Sequence, residues 1–203
     1  DVGCGKTIVA FAITYLVNQN DYQVAMMCPT ESLAQQHYKN ALNYFPRSRL
    51  GILTSSTRSE EKNQLLKKIE KGEVLFLIGT HSLIQEPVTF RRLSLTIIDE
   101  QHKFGVNQRS ALVKKSITND CLIMSATPIP RSLSLTQYGD LELSTIKEKP
   151  NNRKKISSRI INSDNFSSFL SFFKTRMELG EQAYIVVPAI NDSEMIDIQS
   201  LEK

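Results

Sequence analysis

The chain opens inside a phosphate-binding loop. Asp1-Val2-Gly3-Cys4-Gly5-Lys6-Thr7 supplies all but the first glycine of the pattern G-x-x-x-x-G-K-S/T. The backbone N–H groups of such a loop, here around Gly3, Cys4 and Gly5, cradle phosphates. Lys6 reaches the β- and γ-phosphates, and the Thr7 hydroxyl ligates Mg²⁺. The motif implies a protein that handles a nucleoside triphosphate. The first glycine and the strand that should precede it are missing, so the sequence is expected to lack its own beginning.

The rest of the chain alternates short apolar runs with helical patterns. Gly5 to Val17 reads as a helix whose N-terminus faces the phosphate, with apolar residues at Ile8, Val9, Phe11, Ala12 and Leu16. Strands are predicted at 23–28, 51–54, 74–78, 94–98 and 120–125, and a second helix from Glu31 to Phe45. Ser59 to Lys71 is a charged amphipathic helix with Leu65, Leu66 and Ile69 facing inward, and Gly72 stops it. This alternation predicts an α/β fold, a parallel sheet wrapped by helices, over residues 1–147. Polar, charged residues around Pro150 then read as a linker at 148–155. Residues 156–161 (strand), 165–179 (helix) and 183–188 (strand) are expected to begin a second domain within 156–203, too short to close its own core.

Leu95-Thr96-Ile97-Ile98-Asp99-Glu100 is the second chemical element. A strand ending in Asp puts that carboxylate at the carboxyl edge of a parallel sheet, where α/β proteins bind ligands. Asp99 is placed to hold Mg²⁺, and Glu100 to activate the attacking water. Read alone, Asp-Glu after a strand is a common solvated strand end. Its weight comes from the phosphate loop upstream. His102 stands two residues beyond Glu100 and is a candidate relay to Ser125 and Thr127, which follow another core strand; an ordinary strand-to-loop turn is the competing reading there. Thr30 and the segment Gly79-Thr80-His81 also follow strands. Either they cap local structure or they offer hydroxyls and N–H groups to a nucleic-acid backbone. Arg153-Lys154-Lys155 with Arg159 reads as a solvated linker or as a backbone contact.

Bulk properties narrow the class. An apolar fraction of 40% fits a globular core, and a net charge of +4 permits a polyanionic partner without requiring one. Cys4, Cys28 and Cys121 are scattered and odd in number, which reads as reduced thiols rather than a disulfide framework or zinc site. No apolar run approaches the ~20 residues a membrane-spanning helix needs.

The ordered set DVGCGKT (1–7), PTESLAQQH (29–37), GTHSLIQE (79–86), DEQHKFGVNQR (99–109) and MSATPIPRSLSLTQYGDLELSTI (124–146) resembles a superfamily-two helicase of the RecG type, along essentially the whole chain. The transcription-repair coupling translocase shares ATPIPR but differs at Gln101 and His102. The resemblance implies a RecA-like motor domain that uses ATP and Mg²⁺ to translocate on branched or double-stranded DNA, in recombination and repair, as a cytoplasmic monomer. It implies that Gly3, Cys4, Gly5, Lys6, Thr7, Asp99, Glu100 and His102 bind nucleotide, with Thr7 and Asp99 on the metal and Glu100 and Lys6 catalytic. Ser125 and Thr127 couple hydrolysis to movement, and Thr30, Gly79, Thr80 and His81 touch DNA. Ser55 stands where the family often has Gly, which weakens that loop's assignment. The missing wedge domain and second lobe lead to the expectation that this segment alone does not unwind. The alternatives are a transcription-repair coupling type translocase, a nucleic-acid-binding remnant of a broken gene, and an RNA helicase or ATP-driven switch.

Overall fold

A computed structural model describes residues 3–85, 87–100, 111–117, 120–125, 142–146, 156–162 and 165–186. Its strands are β1 (Gln23–Met27), β2 (Leu50–Leu53), β3 (Phe76–Gly79), β4 (Leu93–Asp99) and β5 (Asp120–Met124). They form one sheet in the order β2-β3-β1-β4-β5, and all pairs are parallel. Helices α1 (Lys6–Asn18), α2 (Glu31–Ala41) and α3 (Ser59–Lys71) pack on it. β1 and β3 are buried at every position, as strands covered on both faces must be, which is why they read as continuous apolar runs.

Side chains alternate across the sheet and build two cores. Val24, Met26 and Cys28 join Phe76 and Ile78 under α1 and α2, where Phe11, Ala34 and Ala41 meet them. Ala25 and Met27 join Leu53, Leu77 and Ile98 on the other face, against Ile69 of α3. Phe11, Phe45 and Phe76 pack edge-on, with centroids 5.2–5.9 Å apart. This explains why α2 ends at Ala41 instead of running to Phe45 as its pattern predicts. Pro46 disfavours helical backbone at Phe45, and the Phe45 ring turns into the aromatic cluster. α3 spans the predicted residues, with Glu60 and Glu61 in its first turn and Lys68 and Lys71 in its last, as the helix dipole favours.

Buried Gln23 stitches the amino edge of the sheet. Its Nε2 donates to the carbonyls of Ile69 (2.9 Å) and Val74 (2.8 Å), and its Oε1 accepts from the Arg92 N–H (2.9 Å). The register between β1 and β4 shifts there, Gln23 facing Leu93 while Val24 faces Leu95.

The chain divides into two units, Asp1–Arg153 and Lys154–Lys203. In the second, α4 (Phe166–Glu178) forms where a helix was predicted, with Phe166, Phe169 and Phe173 along one side. The strands expected at 156–161 and 183–188 are a correction. Residues 156–162 and 181–186 make no ladder, and Ile160 is 98% exposed; 187 and 188 lie outside the described residues. A strand exists through its hydrogen-bonded neighbour, and apolar β-branched residues alone do not supply one. Among the described residues no helix is long and apolar enough to cross a membrane.

Gly79 is where β2 and β3 close most tightly. A Cβ there would lie 2.2 Å from the Leu53 carbonyl oxygen and 2.9 Å from Leu83 Cδ2. Gly79→Ala is expected to destabilise by about 1–3 kcal/mol through overpacking. An unchanged urea midpoint at unchanged slope would show that the two strands have room to part.

Candidate nucleotide site at the carboxyl edge of the sheet

Parallel strands deliver all their carboxyl ends to one edge, and the chemically distinctive side chains gather there. At the last residue of α1, Asn18 Nδ2 donates to the carbonyls of Tyr22 (3.0 Å) and Leu75 (3.1 Å) at the amino edge, so the helix N-terminus points to the carboxyl edge. Gly3 (φ 77°) and Gly5 (φ 96°) both take left-handed backbone, the conformation in which successive N–H groups turn toward one point. Gly5 is the N-cap of α1. No side chain caps the helix, and its first turn holds no acidic residue. Among the described residues, then, no acid of the helix's own first turn offsets the partial positive charge of its end, which suits a phosphate. Lys6 Nζ donates to Cys4 Sγ at 3.6 Å, folded back over the loop.

Asp99 ends β4 with its side chain 11% exposed. Its Oδ2 accepts from Nε2 of His37 at 2.8 Å, and among the described residues Oδ1 makes no hydrogen bond. Glu100 takes left-handed backbone (φ 50°), while its N–H donates to the Met124 carbonyl at 3.0 Å. A non-glycine residue there costs on the order of 1–3 kcal/mol, and such strain clusters at functional sites. Asp99 pairs with Met124 in the β4–β5 register, so Ser125 follows directly beside the acidic pair. The hydroxyl of Thr7 and the carboxylate of Asp99 are hard oxygen donors of the type Mg²⁺ takes, so the residues present suit that ion. His102 and Thr127 lie outside the described residues.

The loops predicted to face nucleic acid divide into exposed and buried members. Thr30 is exposed and caps α2, its Oγ1 accepting from the Leu33 N–H at 3.3 Å. His81 is exposed as well. Gly79 and Thr80 are buried, and a Cβ at Gly79 would meet the Leu53 carbonyl and the Leu83 side chain, so packing accounts for the glycine. The hydroxyl reading at Thr30 and the capping reading are thus the same atom.

Two features escaped the sequence. Glu31 accepts hydrogen bonds from the Ser55 hydroxyl and from the hydroxyl (2.7 Å) and N–H (3.2 Å) of Ser56, tying α2 to the loop after β2. Those serine donors hold the Glu31 carboxyl below the usual glutamate range. The other is His37, which joins Ala34 and Ala41 on the buried stripe of α2. A histidine at a core position of an amphipathic helix was the available signal. The partner, Asp99, is 62 residues away and leaves no local pattern.

Environment separates the thiols. Burial alone would push Cys4 up, but the adjacent Lys6 charge and the hydrogen bonds from its backbone and ammonium hold it below an ordinary thiol. Burial, and then the Asp99 charge, push Cys28 far up. A maleimide should therefore modify Cys4 well before Cys28, with the Cys4 rate half-maximal below the pH of about 8.5 typical of a free thiol. Mass mapping of the modified peptides over a pH series checks this, and native Cys28 reacting as fast as Cys4 would contradict it.

Comparison with known proteins places this arrangement. The chain is 44% identical over 200 residues to the ATP-dependent DNA helicase RecG of Streptococcus pneumoniae, covering 98% of this chain and 30% of the relative. It is 42% identical over 202 residues to the protein of the same name from Bacillus subtilis, again covering 98% and 30%. Among solved structures, RecG bound to a three-way DNA junction superposes with a TM-score of 0.73 at 37% identity, over 91% of this chain and 25% of that one. The chain thus spans under a third of the length of these relatives. The sheet and its helices match the RecA-like helicase fold. The DEAD/DEAH box helicase description matches residues 1–136 of the 203. By that match the chain belongs to the DEAD/DEAH box helicase family, whose domain binds a nucleotide.

Proposed function

We propose that this chain is the nucleotide-hydrolysing part of an ATP-dependent DNA helicase that acts on branched DNA in recombination and repair. The observation that carries the reading is the meeting of an uncapped, glycine-rich helix N-terminus with Asp99 and Glu100 at one sheet edge. The 44% identity to a protein named ATP-dependent DNA helicase RecG supports the choice of ATP and DNA. In this reading residues 1–147 form the motor domain, 148–155 the linker and 156–203 the beginning of a second motor domain.

The roles follow from placement. The N–H groups of Gly3, Cys4 and Gly5 hold the phosphates. Lys6 exchanges its contact with Cys4 for the β- and γ-phosphate oxygens, where its charge offsets what develops on the transferred group. Thr7 and Asp99 hold Mg²⁺, which when bound neutralises phosphate charge. Glu100, turned out of the strand by its left-handed backbone, takes the proton of the attacking water. Ser125, beside the acidic pair, and Thr127 report the state of the nucleotide to the second lobe, with His102 as the link. Thr30 and His81, both exposed at the same edge, contact the DNA backbone together with the Gly79-Thr80 main chain. Three cysteines, odd in number and in no disulfide among the described residues, accord with a cytoplasmic setting.

The test is ATP hydrolysis by a chain of the relatives' full length, with and without a model replication fork, wild type beside Glu100→Gln. Fork DNA should stimulate the wild type more than RNA does. Glu100→Gln should lose roughly 10²–10⁴-fold in rate, the usual share of a general base, while still binding nucleotide. A wild type that ignores fork DNA, or a mutant that keeps its rate, would sink the reading.

A further inference from the structure

We propose that His37 is a positioning residue for the nucleotide site: it fixes the Asp99 carboxylate by one oxygen so that the other is presented to a divalent cation. The proposal rests on the ATP-hydrolysing reading above.

A carboxylate oxygen only accepts, so in the 2.8 Å contact His37 Nε2 carries the hydrogen and donates to Asp99 Oδ2. The two side chains are 9% and 11% exposed, so water competes little for the bond. Oδ1 of the same carboxylate makes no hydrogen bond among the described residues. Asp99 is thus held at two ends, its backbone by the β4–β5 ladder and its carboxylate by His37, with one oxygen left over. A carboxylate that arrives already oriented loses less freedom when it takes a cation.

The competing reading is an ordinary core histidine that satisfies itself by packing. The second ring nitrogen argues against it. His37 Nδ1 is buried and has no hydrogen-bond partner among the described residues. A ring kept for stability alone would not leave a buried polar atom unsatisfied when an apolar side chain on the stripe of Ala34 and Ala41 would avoid that cost. Among the described residues, the ring's polar contact goes to Asp99. Buried polar groups retained at a local cost are expected where function requires them.

The experiment compares full-length wild type with His37→Ala, His37→Gln and His37→Asn, using Mn²⁺ as the spin-visible ion. Mn²⁺ binding is titrated by electron paramagnetic resonance in the presence of ADP, and nucleotide binding is measured separately in a chelator. A partner beyond the direct ligands is typically worth 10–100-fold in metal affinity, and His37→Ala should weaken Mn²⁺ by that factor. His37→Gln should recover most of it, because its Nε2 lies as many bonds from Cβ as the imidazole Nε2. His37→Asn, one bond shorter, should not. Binding of ADP without metal should be unchanged in all four. Should His37→Ala fail to fold, the Gln and Asn pair decides alone. Equal Mn²⁺ affinity in Gln, Asn and wild type, with only thermal stability lowered, would overturn the proposal and leave His37 a core residue. Wild type that takes no Mn²⁺ with nucleotide would instead remove the ATP-hydrolysing reading, and this proposal with it.

Discussion

Parallel pairing is the constraint from which the rest of the architecture follows. Five strands running one way cannot be joined by tight hairpins, so each connection must cross a face of the sheet before the next strand starts. The α2 and α3 crossings cover opposite faces, with α1 beside α2, and the strands become apolar on both sides. The same geometry sends every strand end to one edge. Thr30 follows β1, Thr54 to Thr57 follow β2, Thr80 to Ser82 follow β3, Glu100 follows β4 and Ser125 follows β5. The polar residues that could do chemistry are gathered by topology before any specific contact is made.

The two edges of the sheet treat buried polar atoms in opposite ways. At the amino edge Gln23 is almost fully closed to water, and both its amide nitrogen and its oxygen find partners. Such an amide ties β1, β4 and the end of α3 together and leaves nothing to offer a ligand. At the carboxyl edge satisfaction is incomplete. Among the described residues His37 Nδ1 is buried without a partner and Asp99 has a carboxylate oxygen to spare, while Glu100 sits in strained backbone. The groups with capacity to bind thus sit at the carboxyl end of the strands.

How much of this was legible follows from the range of the signals. α3 could be read to the residue because its cues are local: acids at the start, lysines at the end, and Gly72 after them. The strands of the sheet were legible because burial on both faces makes them continuous apolar runs. The same signal misled at 156–161 and 183–186, where apolar residues form no ladder, since composition says nothing about a neighbour. The phosphate loop and the acidic pair were found because each is contiguous in sequence. His37 was passed over because its meaning depends on Asp99, 62 positions on. Gly79 carries a tertiary constraint that its loop position does not reveal, since a Cβ there would lie 2.2 Å from the Leu53 carbonyl oxygen.

α2 ties these observations together. Its first residues carry the Thr30 cap and the Glu31 clamp on the loop after β2, and six positions later the same helix presents His37 to Asp99. At 1.5 Å per residue those groups are separated by about 9 Å along one hydrogen-bonded rod. The Glu31 contacts are solvent-exposed and break at little cost, whereas the His37 contact is buried. The exposed end of α2 can therefore rearrange more readily than the buried end. Any shift that moves the helix as a body, rather than fraying its first turn, must carry the imidazole with it. The Asp99 carboxylate, held by β4 on one side and by that imidazole on the other, lies where such a shift would be felt.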